Sequence, residues 1–210
     1  MCRSLLSVLV LGGVLAFAQQ NPKPPAPSFP KVNSDIPGPF HVYNVTGKKK
    51  GNYHCLVSEF GLNPVVMVVV RGVEDKDGGL LQLLVKLDNL VDRNPNTRMA
   101  AFAVFLSNTL KDTAREDKQR EELVKKIEDL FKAGTGVKHL VLGLDAPKKL
   151  EKWPLEEKAD VVVILYNNYR TVAVHNLTWE QLKPAEKDKL PEKVKEVLDD
   201  VRQKFDAKRD

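Results

Sequence analysis

Cysteine is nearly absent. The 210 residues contain two, Cys2 and Cys55, and Cys2 lies ahead of an apolar run at the very start of the chain. If that leader is removed, one thiol remains, so the mature chain has no internal disulfide and no C-x-x-C pair for zinc or dithiol exchange. Histidine is equally sparse. His41, His54, His139 and His175 are scattered without an H-x-x-x-H spacing, which excludes a helix-borne zinc pair. No G-x-S-x-G occurs, so the serine nucleophile elbow is missing. Gly134-Thr135-Gly136 precedes a strand pattern rather than a helix, so it reads as a turn and not as a phosphate loop. Basic residues exceed acidic ones by 33 to 28, but the excess is spread out. Lys48-Lys49-Lys50 is the one tight basic run and falls at a hairpin tip, so no nucleic-acid partner is expected. The pairs Glu121-Glu122, Glu156-Glu157 and Asp199-Asp200 sit in helical or loop contexts where neighbours point apart, and they read as solvated surface.

The beginning of the chain is distinctive. Arg3 is followed by an apolar run from Leu5 to Leu15 and by Ala16-Phe17-Ala18, a small-x-small site before Gln19. These are the parts of a secretory signal over residues 1–18. Export to the periplasm, cell envelope or exterior is expected, with a membrane attachment only if this segment stays uncleaved. Residues 19–39 form a linker, since Asn21 to Pro39 holds seven of the chain's 13 prolines and proline fixes φ and removes a donor. Residues 40–210 then make one domain of common size.

Within it, "FHVYNVTG" and "NYHCLVSEFG" read as two β-rich runs of a hairpin joined at Lys48-Lys49-Lys50-Gly51. "PVVMVVVRG", Pro64 to Gly72, is a continuous apolar run of the kind covered on both faces. Leu80, Leu84, Leu87 and Val91 follow at helical spacing. Met99 to Ser107 is a second buried strand. Leu123, Ile127, Leu130 and Phe131 share a helical face that ends at Gly134, and "VKHLVLGLD" is a third buried strand. "ADVVVILYNNYRTVAVHNL" reads as an antiparallel hairpin turning at Asn167-Asn168. A last helix begins near Pro191, with Val194, Leu198, Val201 and Phe205 on one face. Trp153 and Trp179 lie in connecting segments and read as lids over the core.

This order is α/β: a hairpin, then βαβαβ, then ββα, giving a central mixed sheet with helices on both faces. From about Phe40 to Phe205 it resembles the thioredoxin-like fold, with an N-terminal hairpin of the kind peroxiredoxin-like relatives carry. "NPVVMVVVRG" is similar to that family's central strand. The resemblance implies a reactive cysteine after this strand, at the opening of the next helix, where the helix N-terminus lowers the thiol pKa. The matching stretch, Arg71 to Gly79, holds Glu74, Asp75 and Asp77 instead. It implies a cis-proline near Ala159-Asp160, where the closest proline is Pro154, too early. It also implies a buried acid in the central strand, which is wholly apolar here. The family's dithiol site is therefore missing.

Cys55 and Ser58, in a C-x-x-S spacing, are the candidate catalytic pair that remains. Strand alternation would send Cys55 and Val57 to one face and His54, Leu56 and Ser58 to the other, and free cysteine behaves as a small hydrophobe. Cys55 with His41 and His54 is the candidate metal cluster, although such sites need three or more ligands. The sequence thus points to an exported, redox-inactive binding or structural module with no cofactor and a protein or cell-envelope partner. The rival readings are a thiol-dependent oxidoreductase or peroxidase-like enzyme using Cys55, and metal binding through Cys55 and the nearby histidines.

Overall fold

The computed structural model describes residues 30–75, 77–110, 117–131, 136–153, 155–186 and 189–206. The signal region, most of the linker, Pro154 and the Gly134-Thr135 turn lie outside the described residues. No helix among the described residues is long and apolar enough to cross a membrane.

Among the described residues seven strands form one sheet: β1 Val42–Asn44, β2 Tyr53–His54, β3 Val65–Arg71, β4 Ala100–Leu106, β5 Val141–Asp145, β6 Val161–Asn167 and β7 Arg170–Leu177. Their order is β2-β1-β5-β4-β3-β6-β7. β3, β4 and β5 run parallel, β6 and β7 extend the sheet antiparallel beyond β3, and the β1–β2 hairpin adds antiparallel to β5. That is the mixed sheet expected from the element order.

Strand alternation divides the core into two layers. Val66, Val68 and Val70 of β3 face the layer that holds α2 (Gly79–Arg93), α3 (Asp117–Phe131) and α5 (Glu192–Phe205). Leu80, Leu83, Leu84 and Leu87 of α2 are buried there, with Ile127 of α3 and Val194, Val197, Leu198, Val201 and Phe205 of α5. Val65, Met67 and Val69 face the opposite layer, which α1 (Leu56–Phe60) covers together with the one-turn 3-10 segment Pro147–Leu150 and Trp153. Among the described residues the helical cover is therefore unequal: three long helices on one face and two short turns on the other.

Packing begins ahead of Phe40. The Asn33 amide donates to the Thr171 carbonyl at 2.8 Å and the Ile36 amide to the Tyr169 carbonyl at 2.9 Å, and Ile36 is buried. Trp153 is a lid, as expected: it is buried, meets Phe40 edge-on at 5.5 Å and donates its indole N–H to the Gly38 carbonyl at 3.0 Å.

Two local readings are corrected. The run "NYHCLVSEFG" is a strand only at Tyr53–His54, after which the chain leaves the sheet and forms α1. Cys55, Leu56 and Val57 are all buried, and three consecutive inward residues fit a helical turn laid on the sheet better than an alternating strand. The late hairpin turns at Asn168-Tyr169, one residue beyond the expected pair. Both residues have positive φ, 51° and 60°, the signature of a type I′ turn matched to the strand twist.

A second tie holds α2 to the parallel core. One carboxylate oxygen of Asp88 accepts the backbone amides of Lys138, His139 and Leu140 at 2.9, 2.7 and 2.7 Å, anchoring the entry to β5. In the last helix, Leu198 sits at the centre of the buried face. Leu198→Ala should cost about 2–5 kcal/mol of stability, measured as a lower denaturant midpoint at unchanged slope. A midpoint equal to wild type would mean that α5 is not part of the core.

Candidate functional site

Two places bear on thiol chemistry. The first is the loop from β3 to α2. The Asp75 carboxylate turns back onto the start of α2 and accepts the Leu81 amide at 2.8 Å and the Leu80 amide at 3.3 Å. Free amides at a helix start favour an anion, and here a carboxylate of the chain itself supplies it. Gly79, the first residue of α2, is pressed against the end of α4 (Trp179–Leu182): a Cβ built on it would fall 1.7 Å from the Leu182 carbonyl oxygen. Only glycine fits there. The helix start is thus both charge-satisfied and covered.

The second place is α1. Cys55 is its N-cap, with extended backbone at φ −92° and ψ 101°. Its sulfur accepts hydrogen bonds from the Ser58 amide at 3.4 Å and the Ser58 hydroxyl at 3.1 Å. The expectation that Ser58 points away from Cys55 is therefore overturned: one helical turn brings positions three apart together, where a strand would part them. Cys55 is 4% exposed, whereas Ser58 lies at the surface.

Tyr166 of β6 belongs to the same buried layer as Cys55; it is fully buried, and its hydroxyl has no hydrogen-bond partner among the described residues. Burial first, then the neighbouring Cys55 and Tyr169, push its phenol above the usual range. Tyr169 reaches α1 from the hairpin turn, since a Cβ built on Gly61 would stand 3.4 Å from its hydroxyl oxygen. A bulky residue at positive φ carries strain that glycine would not.

The metal candidates do not converge. His54 faces Glu59 at 3.0 Å, and His41 lines a separate cleft with Phe40, Lys148 and Lys149. No three His, Cys, Asp or Glu side chains among the described residues form a metal-binding group.

One acid escaped the sequence reading. Asp145, at the end of β5, is fully buried. One of its oxygens accepts the Ala146 amide at 2.7 Å and the other has no partner among the described residues. It closes an otherwise apolar run, and only the covering of that strand end makes it a buried charge.

The sequence matches no family model and no curated protein. Its fold does match solved structures. The thioredoxin domain of a thiol-disulfide oxidoreductase from Bacteroides vulgatus superposes with a TM-score of 0.51 at 13% identity, covering 84% of this chain and 99% of that one. A reduced 2-Cys peroxiredoxin from Plasmodium vivax gives 0.51 at 16% identity over 82% and 97%. The yeast mitochondrial 1-Cys peroxiredoxin gives 0.52 at 11% identity over 84% and 78%. The fold is thioredoxin-like. In thioredoxin-like terms, the covered start of α2 is the position where the resemblance places the reactive cysteine. The residue before β6, where it places the cis-proline, is Asp160, and every peptide bond among the described residues is trans. The six residues Val65 to Val70 of the central strand are all buried and apolar, so the buried acid of this thioredoxin-like sheet is in β5 instead.

Burial raises the Asp145 carboxyl from an ordinary 3.8 to about 6, against the smaller opposing effects of the Ala146 amide and Lys149. A folded-state pKa above the unfolded value means that the folded protein binds the proton more tightly. Stability should therefore fall as pH rises from about 4 through 6, by on the order of 3 kcal/mol. Asp145→Asn, which does not ionise, should flatten that slope in urea midpoints taken from pH 4 to 7. A wild-type midpoint that climbs over the same range would contradict the assignment.

Proposed function

We propose that this chain is an exported thioredoxin-fold module that lacks the family's dithiol exchange and acts by binding a protein or cell-envelope partner. The carrying observation is the Asp75 carboxylate on the first amides of α2. A nucleophilic thiol at that position works because the helix start stabilises its anion. With a fixed carboxylate there, and the Leu182 carbonyl against Gly79, neither the charge nor the space for that chemistry is left. A fold kept without its reactive group is consistent with recognition.

The surface offers a place for it. A cleft of about 340 Å³ is lined by Pro39, Phe40, His41, Lys148, Lys149, Glu151 and Lys152. No carboxylate among the described residues lies within ion-pair distance of these three lysines, whereas Lys50, Lys189, Lys193, Lys195 and Lys204 each have one. A thiol-dependent activity at Cys55 is the second reading, favoured by the two donors on its sulfur.

Two measurements bear on this. Insulin reduction in the presence of dithiothreitol should run no faster with the mature protein than without it, and Cys55→Ser should change nothing. Acceleration by wild type that disappears in Cys55→Ser would replace the module with the enzyme. Export is tested separately by mass spectrometry of protein from its native host, where the mature N-terminus should lie at or near Gln19. A soluble cytosolic form still beginning at Met1 would defeat it.

A further inference from the structure

We propose that the basic cleft between residues 39–41 and 147–152 takes the carboxylates of an extended acidic segment of a protein partner. The assignment rests on the chain being a binding module, and it names the chemistry of what is bound. The cleft owes its charge to how one short segment is pinned. Leu150 and Trp153 are each 2% exposed and tie the segment after β5 to the sheet, which leaves Lys148, Lys149, Glu151 and Lys152 outside. Lys148 and Lys149 stand four and three residues before Lys152, the spacing that shares one side of a helical turn, and all three lysines line the cleft.

Trp153 also fixes the opposite wall. Its indole N–H donates to the Gly38 carbonyl at 3.0 Å, across a separation of 115 residues, and its ring meets Phe40 edge-on at 5.5 Å. Pro39, Phe40 and His41 are thereby set against the lysine turn. One residue holds both walls, so the cleft of about 340 Å³ is formed without a ligand and little ordering is lost on binding.

Charge selects the ligand. Among the described residues none of the three lysines has a carboxylate within ion-pair distance, whereas Lys189, Lys193 and Lys195 each have one three residues away. Glu151 is the single acid on the rim. Like charges held on one short turn repel, and an anion in the cleft offsets that repulsion. No arginine lines it to grip a phosphate with two parallel bonds, and ammonium groups act as point charges that suit single carboxylates. A membrane surface fits less well. Polybasic lipid-binding clusters use about four to eight Lys or Arg, and interfacial anchors add apolar side chains that enter the bilayer. This cleft is concave, and of the large apolar residues exposed among the described residues, Val32, Tyr53, Leu62 and Tyr169, none lines it. Its volume admits side chains of a peptide and not a folded surface.

The test uses the mature chain and fluorescein-labelled hexaglutamate, followed by fluorescence anisotropy, with labelled hexaglutamine as the neutral control. Hexaglutamate should bind saturably and hexaglutamine should not, and the affinity should fall several-fold as salt rises from about 0.05 to 0.5 M. Lys149→Gln combined with Lys152→Gln should weaken binding about tenfold. Lys193→Gln combined with Lys195→Gln removes the same charge from α5 and should change it by less than about twofold. Glu151→Gln should tighten it several-fold, a gain that damage to the fold cannot produce. Absence of saturable hexaglutamate binding, equal losses in the two double variants, or no gain in Glu151→Gln would each overturn the proposal. So would inorganic phosphate binding as tightly as hexaglutamate, which makes the cleft a general anion site, or tighter association with phosphatidylglycerol vesicles, which makes it a lipid site. Insulin reduction accelerated by wild type would remove the binding module itself, whereas failure of hexaglutamate without such acceleration would remove only the acidic ligand.

Discussion

The central strand β3 is hydrogen-bonded along both edges, parallel to β4 and antiparallel to β6, and Val65 to Val70 are buried on both faces. Such a strand has no room for a charge and no free backbone group. Everything else is placed relative to it: α2 and α5 on one face, α1 and Trp153 on the other, the remaining strands outward by pairing. Its apolar side chains supply the large hydrophobic term, and they also move any chemistry to its ends. At its carboxyl end the chain turns at Gly72 toward Asp75 and α2, the end of a parallel sheet where ligands and reactive groups usually collect.

That end has been closed by the chain itself. In a thioredoxin-like protein the first amides of this helix hold the charge that makes a thiol reactive. Here Asp75 holds them, and Gly79 lets the Leu182 carbonyl come within a distance no side chain would tolerate. The carboxylate stabilises the helix as a cap and removes the electrostatic reason for a cysteine. Structure and chemistry point the same way: the start of α2 is closed while the thioredoxin-like fold is intact.

The polar groups that remain in the core are unevenly placed. Asn44, Asp145, Tyr166 and Thr171 each bury a side-chain oxygen without a partner among the described residues. Tyr166 and Thr171 face one another across β6 and β7, at the register shift between Leu165 and Tyr166. Asn44 and Asp145 lie on the paired strands β1 and β5. None sits in β3 or β4. The costly groups are thus kept in strands outside the central β3–β4 pair, where a bulge or a nearby surface changes the local surroundings.

The element order, the doubly covered strand and the inner face of α5 were legible in the sequence, because each rests on local periodicity: apolar residues at every position, or at three- and four-residue steps. The lack of a cysteine between Arg71 and Gly79 was legible too, since it needs no coordinates. Cys55 was not. Tyr53-His54 and Leu56-Val57 have the same strand-forming composition, and only the layer beneath Cys55, Leu56 and Val57 makes a helical turn the better burial for three consecutive residues. The turn at Asn168-Tyr169 was displaced by one residue for a similar reason, the twist of the strands it joins. Asp145 looked like the end of a strand until the segment after it was laid across it. Periodicity along the chain decides which residues turn inward, but which of them meet is fixed by the order of strands in the sheet. That order brought Tyr166 and Cys55 into one buried layer and the Leu182 carbonyl to Gly79, across separations at which the sequence carries no local signal.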